Sequence, residues 1–227
     1  IRPRLARLRA DGTLDRGFNV GVSGGSIMSK VNAILVQRDG KILLGGNFTQ
    51  LLGQTEPRNH IARILPNGSP DTGFNPGSNG MVNYLAFQSD GKILVGGDFT
   101  TFGGQPRNYI ARMNEDGSLD ESFNPGANRA VTTLAVQSNG KILVGGSFTN
   151  CGGAARAYIA RLNEDGSLDS TFNPGATNDV LCFAIQPDEK ILVGGRFNTL
   201  SGSLRRRLGR LNSDGSLDTG FDPSASD

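Results

Sequence analysis

An all-β fold assembled from tandem units of about 49 residues is the architecture this 227-residue sequence predicts. Two recurrences predict it. One string returns as "RDGKILLGGNFT" at 38–49, "DGKILVGGDFT" at 90–100, "NGKILVGGSFT" at 139–149 and "DEKILVGGRFN" at 188–198. A second, of the form IARxNxDGSLDxxFNPG, centres on Arg63, Arg112, Arg161 and Arg210, each 49 residues from the last, with an earlier copy at Arg7. Composition agrees: 33 glycines, no tryptophan and 36% hydrophobic residues suit many short strands and turns better than one large core.

One unit reads, in order, as a V-x-x-L-A-x-Q strand, a turn, a K-I-L-V-G-G-x-F-T strand, a loop, a Y-I-A-R-L-N strand, a turn and S-L-D-x-x-F-N-P-G. Turn chemistry sets the first register. If Ser138, Asn139 and Gly140 form a three-residue hairpin loop, glycine supplies its left-handed position. Gln137 then faces Lys141, Val136 faces Ile142, Ala135 faces Leu143 and Leu134 faces Val144. Apolar residues meet on both faces, so both faces need a cover. The following Gly-Gly pair falls opposite Thr132 and Thr133, which marks a bulge or a close backbone approach.

The second hairpin turns through Glu115, Asp116 and Gly117, placing Met113 opposite Leu119 and Arg112 opposite Asp120. The same opposition recurs as Arg7/Asp15, Arg63/Asp71, Arg161/Asp169 and Arg210/Asp218. Opposite charges across a ladder favour one register. These pairs read as structural braces, expected at a wet rim where each contributes ~0–1 kcal/mol.

A unit apolar on both faces at its inner hairpin and half polar at its outer one is what a β-propeller blade requires, because each blade is sandwiched between neighbours. The period is close to that of kelch repeats. The expectation is a single propeller domain or segment over 1–227. It has an outer half-blade at 1–20 and four complete four-stranded blades at 31–76, 82–125, 131–174 and 180–223. Insertions that lengthen the first repeat fall in "NVGVSGGSIMSK" and "TQLLGQTEPRNH", both loop-like. The unmatched half-blade reads either as an incomplete fifth blade or as part of a longer array. The second is preferred, in keeping with a chain that starts at Ile1 without a leader pattern.

The strings "IARLNEDGSLDSTFNPGA" at 159–176 and "QSDGKILVGGDFT" at 88–100 resemble the delta-60 repeat, a bacterial β-propeller family mostly of unknown function. The resemblance covers essentially the whole chain. It implies a propeller, usually within a larger secreted or cell-surface bacterial protein, and implies no reaction. The sequence departs from that pattern in its first unit, at Pro70 in place of leucine and at Glu189 in place of the turn glycine.

Chemistry is sparse. A net charge of +2 gives no field for nucleic acid, and no apolar run is long enough for membrane insertion. The single histidine, His60, fills the slot occupied by Tyr109 and Tyr158 elsewhere, and no catalytic triad or carboxylate pair assembles by spacing. "NEDGSLD" has a calcium-loop flavour, but Arg112 falls where the first oxygen ligand belongs, so no metal or cofactor is expected. Cys151 and Cys182 occupy non-equivalent places and read as free thiols.

Protein binding is the leading expectation, with loops such as "TNCGGAARAY" and the first-unit insertion as the places for a partner. A lectin-like alternative puts one weak sugar site on each blade, at His60, Tyr109 and Tyr158 with Arg58, Arg107 and Arg156 from "PRNH", "PRNY" and "ARAY". That feature fails in the fourth blade, where Arg207 of "LRRRL" takes the aromatic's place. The basic "LRRRL" itself reads as a solvated loop.

Overall fold

The computed structural model describes residues 4–24 and 29–223. Parts of the expected half-blade (1–3), of the first insertion (25–28) and of the chain end (224–227) lie outside them. Among the described residues every regular element is a strand. Four three-stranded antiparallel sheets follow one another. Their inner, middle and outer strands are Val31–Val36, Ile42–Gly46 and Ile61–Ile64 in blade 1, and Val82–Phe87, Ile93–Gly97 and Ile110–Met113 in blade 2. Blade 3 has Val131–Val136, Ile142–Gly146 and Ile159–Leu162, and blade 4 has Val180–Ile185, Ile191–Gly195 and Leu208–Leu211.

The inner hairpins adopt the register that turn chemistry predicts, with Leu134 facing Val144 and Val136 facing Ile142. Gly140 takes φ +80°, and Glu189, in the equivalent turn of blade 4, is held at φ 63° although it carries a side chain. The register changes beyond Leu134. Gly145 faces Thr133, but Gly146 faces Val131, and Thr132 is an extra, bulged residue rather than a glycine partner. The bulge turns the Thr132 hydroxyl toward the next blade, where it donates to the Val180 carbonyl at 2.6 Å. Asn32 and Asn83 reach the Val82 and Val131 carbonyls from the same position.

The fourth strand is reduced to a single bridge: Ile64 to Pro70, Met113 to Leu119, Leu162 to Leu168 and Leu211 to Leu217. The chain cannot continue the ladder there because it turns at once, with Phe123 N–H donating to the Asp120 carbonyl. A small ribbon lies in the loop before each outer strand of blades 2 to 4, as in Thr101–Phe102 with Gln105–Pro106. Gly103 and Gly104, both at positive φ, close its turn. Blade 1 has Leu52 and Gly53 at that turn, and its Gln50–Leu51 pairs instead with Val22–Ser23 of the first insertion.

No blade buries itself. Each hydrophobic cluster spans a seam: Leu94, Ile110 and Phe123 of blade 2 pack with Val131, Leu134 and Phe148 of blade 3. The Gly-Gly strings are seam features too. A Cβ on Gly45 would lie 2.5 Å from Val82 of the next blade, one on Gly96 2.7 Å from Val131, and one on Gly145 2.7 Å from Val180. Only a bare backbone lets those valines in.

Candidate functional site

The recurring arginine of each outer strand is the densest polar cluster in the chain. Its Nε donates to the aspartate opposite at 2.8–2.9 Å: Arg7 to Asp15, Arg63 to Asp71, Arg112 to Asp120, Arg161 to Asp169 and Arg210 to Asp218. Its guanidinium carbon sits over the ring of Phe18, Phe74, Phe123, Phe172 or Phe221, at 4.2–4.4 Å from the centroid. Its Nη1 crosses the seam to a main-chain carbonyl in the next blade's outer turn. Arg7 reaches Pro66 at 2.6 Å, Arg63 reaches Glu115 at 2.7 Å, Arg112 reaches Glu164 at 2.6 Å and Arg161 reaches Ser213 at 2.5 Å. Arg7 is 38% and Arg210 22% accessible, but the Arg63, Arg112 and Arg161 pairs are not rim-exposed as expected, the Arg112 and Asp120 side chains being 6% and 9% accessible. The next blade covers them.

The repeat lysine completes the cluster. Lys92, Lys141 and Lys190 donate Nζ to Asp120, Asp169 and Asp218 at 2.7–2.9 Å, whereas Lys41 pairs with its neighbour Asp39. For Asp120, burial alone would raise the pKa. The Lys92 ammonium, the Ser122 hydroxyl and the Arg112 guanidinium outweigh it and hold the carboxyl well below the usual carboxylate range. Asp169 is held down in the same way by Lys141, Thr171 and Arg161. With Nε and Nη1 engaged by protein acceptors, the guanidiniums of Arg7, Arg63, Arg112 and Arg161 act as blade-to-blade latches, while Arg210 Nη1 turns to Gln186 of its own blade.

The sugar-site candidates divide. Arg58, Arg107 and Arg156 are not surface residues: they are 4%, 6% and 7% accessible. Each clasps two carbonyls of its own blade, Arg107 those of Pro106 and Glu121, and Arg58 and Arg156 their equivalents. A loop end that must be tied to the turn after the outer hairpin draws them inward. His60, Tyr109 and Tyr158 are half-buried rather than exposed. All three, with Arg207 and Arg4, share φ of 66–67°. Their backbones are pinned, Tyr109 N–H donating to Phe99 and its carbonyl accepting from Gly97, and the Tyr109 and Tyr158 rings pack on the seam clusters. Burial lowers the pKa of His60.

In the calcium-like loop, Asp116 Oδ1 already accepts from the Ser118 amide and hydroxyl. Among the described residues no group of three or more His, Cys, Asp or Glu side chains is placed to hold a metal. An open, shallow groove of 410 Å³ lies between Gly73, Asn75, Pro76 and the turn Asp116, Gly117, Ser118, and a smaller cleft of 210 Å³ between Arg38, Phe87, Gln88, Asp90 and Glu115. Cys151 is buried and Cys182 exposed, both as free thiols. The latch's reach to a neighbouring carbonyl had no sequence signature. Its phenylalanine did: Arg and Phe recur together eleven residues apart.

Several solved structures resemble this fold at low sequence identity. A chain of the mitotic checkpoint complex matches over 97% of this chain and 71% of its own length, with 16% identity and a TM-score of 0.53. The extracellular domain of a one-component system, BT4673, from B. thetaiotaomicron matches over 74% of this chain, with 16% identity and a TM-score of 0.48. A virginiamycin B lyase from Staphylococcus aureus matches over 88%, with 17% identity and a TM-score of 0.48. The chain spans 20% of the second of these and 60% of the third. No curated protein matches the sequence. The family model described as a β-propeller domain of unknown function, DUF5122, matches residues 1–18, 37–74, 88–123, 137–172 and 186–221, and the chain belongs to that family.

Proposed function

We propose that the chain serves as a non-enzymatic β-propeller scaffold, a protein-interaction module of a larger secreted or cell-surface bacterial protein. One observation carries this reading: the side chains that recur from blade to blade are engaged within the fold, bracing their own blade or tying it to the next. The Arg, Lys, Asp and Phe of the latch, and the clasping Arg58, Arg107 and Arg156, face protein partners. What differs between blades lies in loops, where repeat proteins carry specificity. The first-blade loop, with Leu52 43% accessible, is the leading partner site.

The test is site-specific photocrosslinking in the native host, with a photoreactive residue at Leu52 and, as control, at buried Phe102. A discrete protein adduct from position 52 alone supports the module. Saturable glycan-array binding that Tyr109→Ala and Tyr158→Ala abolish would replace it with the lectin reading. Surface placement is checked by protease treatment of intact cells.

A further inference from the structure

We propose that the seams between the complete blades carry a recurring groove for a neutral polysaccharide, in which Asn75 with Asp116, Asn124 with Asp165, and Asn173 with Asp214 hold its hydroxyls. This goes beyond the module reading and involves none of its partner loop.

Asn75, Asn124 and Asn173 recur too, yet the fold leaves their side chains free. All three are exposed, and none takes a side-chain hydrogen bond among the described residues. Each stands at the outer turn of the next blade. The glycine of that turn packs on the phenylalanine just before the asparagine. A Cβ on Gly117 would lie 2.5 Å from Phe74, one on Gly166 2.7 Å from Phe123 and one on Gly215 2.6 Å from Phe172. That close approach brings the turn aspartate to the asparagine, so that Asn75 and Asp116 line one groove of 410 Å³.

The aspartate is already oriented there. Asp116 Oδ1 accepts from the amide and hydroxyl of Ser118, and Asp165 and Asp214 accept from Ser167 and Ser216, at 2.7–2.8 Å. Each serine hydroxyl accepts in turn from Asn114, Asn163 or Asn212 at 2.9 Å. No donor of the described residues hydrogen-bonds the other carboxylate oxygen, Oδ2.

This set of groups selects the ligand. A carboxylate only accepts, and an amide both donates and accepts. Adjacent hydroxyls of a sugar ring, each a donor and an acceptor, satisfy both. An anionic chain would be repelled by the carboxylate. A calcium ion takes about six to eight oxygens, and Asp116 supplies the one carboxylate of the groove. Shallow and open, the groove fits a chain passing along it. A second hollow of 300 Å³ continues it: Pro76 lines both, with Asn59, Asn79 and Thr101 in the second. An added Cβ on Gly77 or Gly104 would meet no atom within 4 Å, so this stretch is clear for a further sugar ring. Three like grooves on one chain let weak sites act together.

The probe is a set of neutral polysaccharides, mannan, dextran and galactan, each cast into a native gel through which the intact chain migrates, with polygalacturonate as the charged control. The expected result is saturable retardation by a neutral polymer, unchanged by EDTA. Asp116→Asn, Asp165→Asn and Asp214→Asn together should raise the apparent Kd at least about tenfold, and Asp116→Asn alone only a few-fold. The turn survives this change, because Asn67 makes the same two bonds from Ser69 in blade 1. Asn75→Ala, Asn124→Ala and Asn173→Ala together should match the triple aspartate change, with the fold checked by circular dichroism. Glu115→Gln with Glu164→Gln, exposed carboxylates outside the groove, should leave the Kd unchanged. No retardation by any of the three polymers, retardation by polygalacturonate alone, or an equal loss in the glutamine chain overturns the proposal. So does loss of retardation in EDTA, because a cation would then occupy the groove.

Discussion

Arg112 of blade 2 donates Nη1 to the main-chain carbonyl of Glu164 in blade 3, at 2.6 Å. The same guanidinium holds Asp120 through Nε and covers Phe123. One side chain thus fixes its own outer hairpin and the position of the neighbouring blade. Arg7, in the first repeat, makes equivalent contacts but its side chain is 38% accessible.

That contrast gives a stability prediction. Arg112→Ala removes one member of a buried, hydrogen-bonded pair and should cost about 3 kcal/mol. Arg7→Ala removes a more exposed pair and should cost no more than ~1 kcal/mol. Urea unfolding of both variants and the parent chain measures the difference. Equal losses would show that the seam carbonyl contributes little.

The aspartates predict a pH dependence with a definite sign. Asp120 and Asp169 have pKa values depressed in the folded chain, so the unfolded chain binds more protons as pH falls. Their contribution is fully present above the unfolded value of about 4 and is lost progressively below it. The urea midpoint of an Asp120→Asn, Asp169→Asn chain should be lower than the parent's at pH 7 and fall less steeply between about pH 4 and 2.

The seam glycines make a steric prediction. A methyl group at Gly96 would meet Val131 at 2.7 Å and Leu134 at 3.3 Å, while one at Gly73 meets only an aspartate oxygen at 3.7 Å. Gly96→Ala should cost about 1–3 kcal/mol through overpacking. Gly73→Ala should stay within ~0.5 kcal/mol, as surface substitutions usually do. Thermal unfolding of the two variants separates them.

The thiols should differ in reactivity. Burial pushes the Cys151 thiol up to about 12, and its side chain is inaccessible. A disulfide reagent at pH 8 should titrate one thiol in the native chain, Cys182, and two after denaturation. Mass spectrometry of the labelled peptide identifies which.

The inner hairpin was legible because its signal is local: glycine at a left-handed turn position and apolar residues at matched distances from it. The register from Leu134–Val144 to Val136–Ile142 follows from that alone. The Gly-Gly pair marked a bulge there, but not that Thr132 would be the residue left out of the pairing, with its hydroxyl on the Val180 carbonyl 48 residues away. The ribbons before the outer strands were missed for a different reason. "FGGQP" is short and polar, and only the paired positive φ of Gly103 and Gly104 marks it as a hairpin.

The candidate sugar sites illustrate the same boundary. Their recurrence was visible, but Arg107 is buried by a loop folding back on the Glu121 carbonyl. A main-chain acceptor looks alike at every position of a sequence.

By itself the sequence determined the repeat, its strands and turns, and the need for each blade to be covered on both faces, since these depend on residues close together in the chain. Only the tertiary structure decided which polar groups meet across a seam and which aspartates are buried. Those outcomes depend on main-chain carbonyls and surfaces brought together from neighbouring blades some 50 residues apart, as Arg112 and Glu164 are.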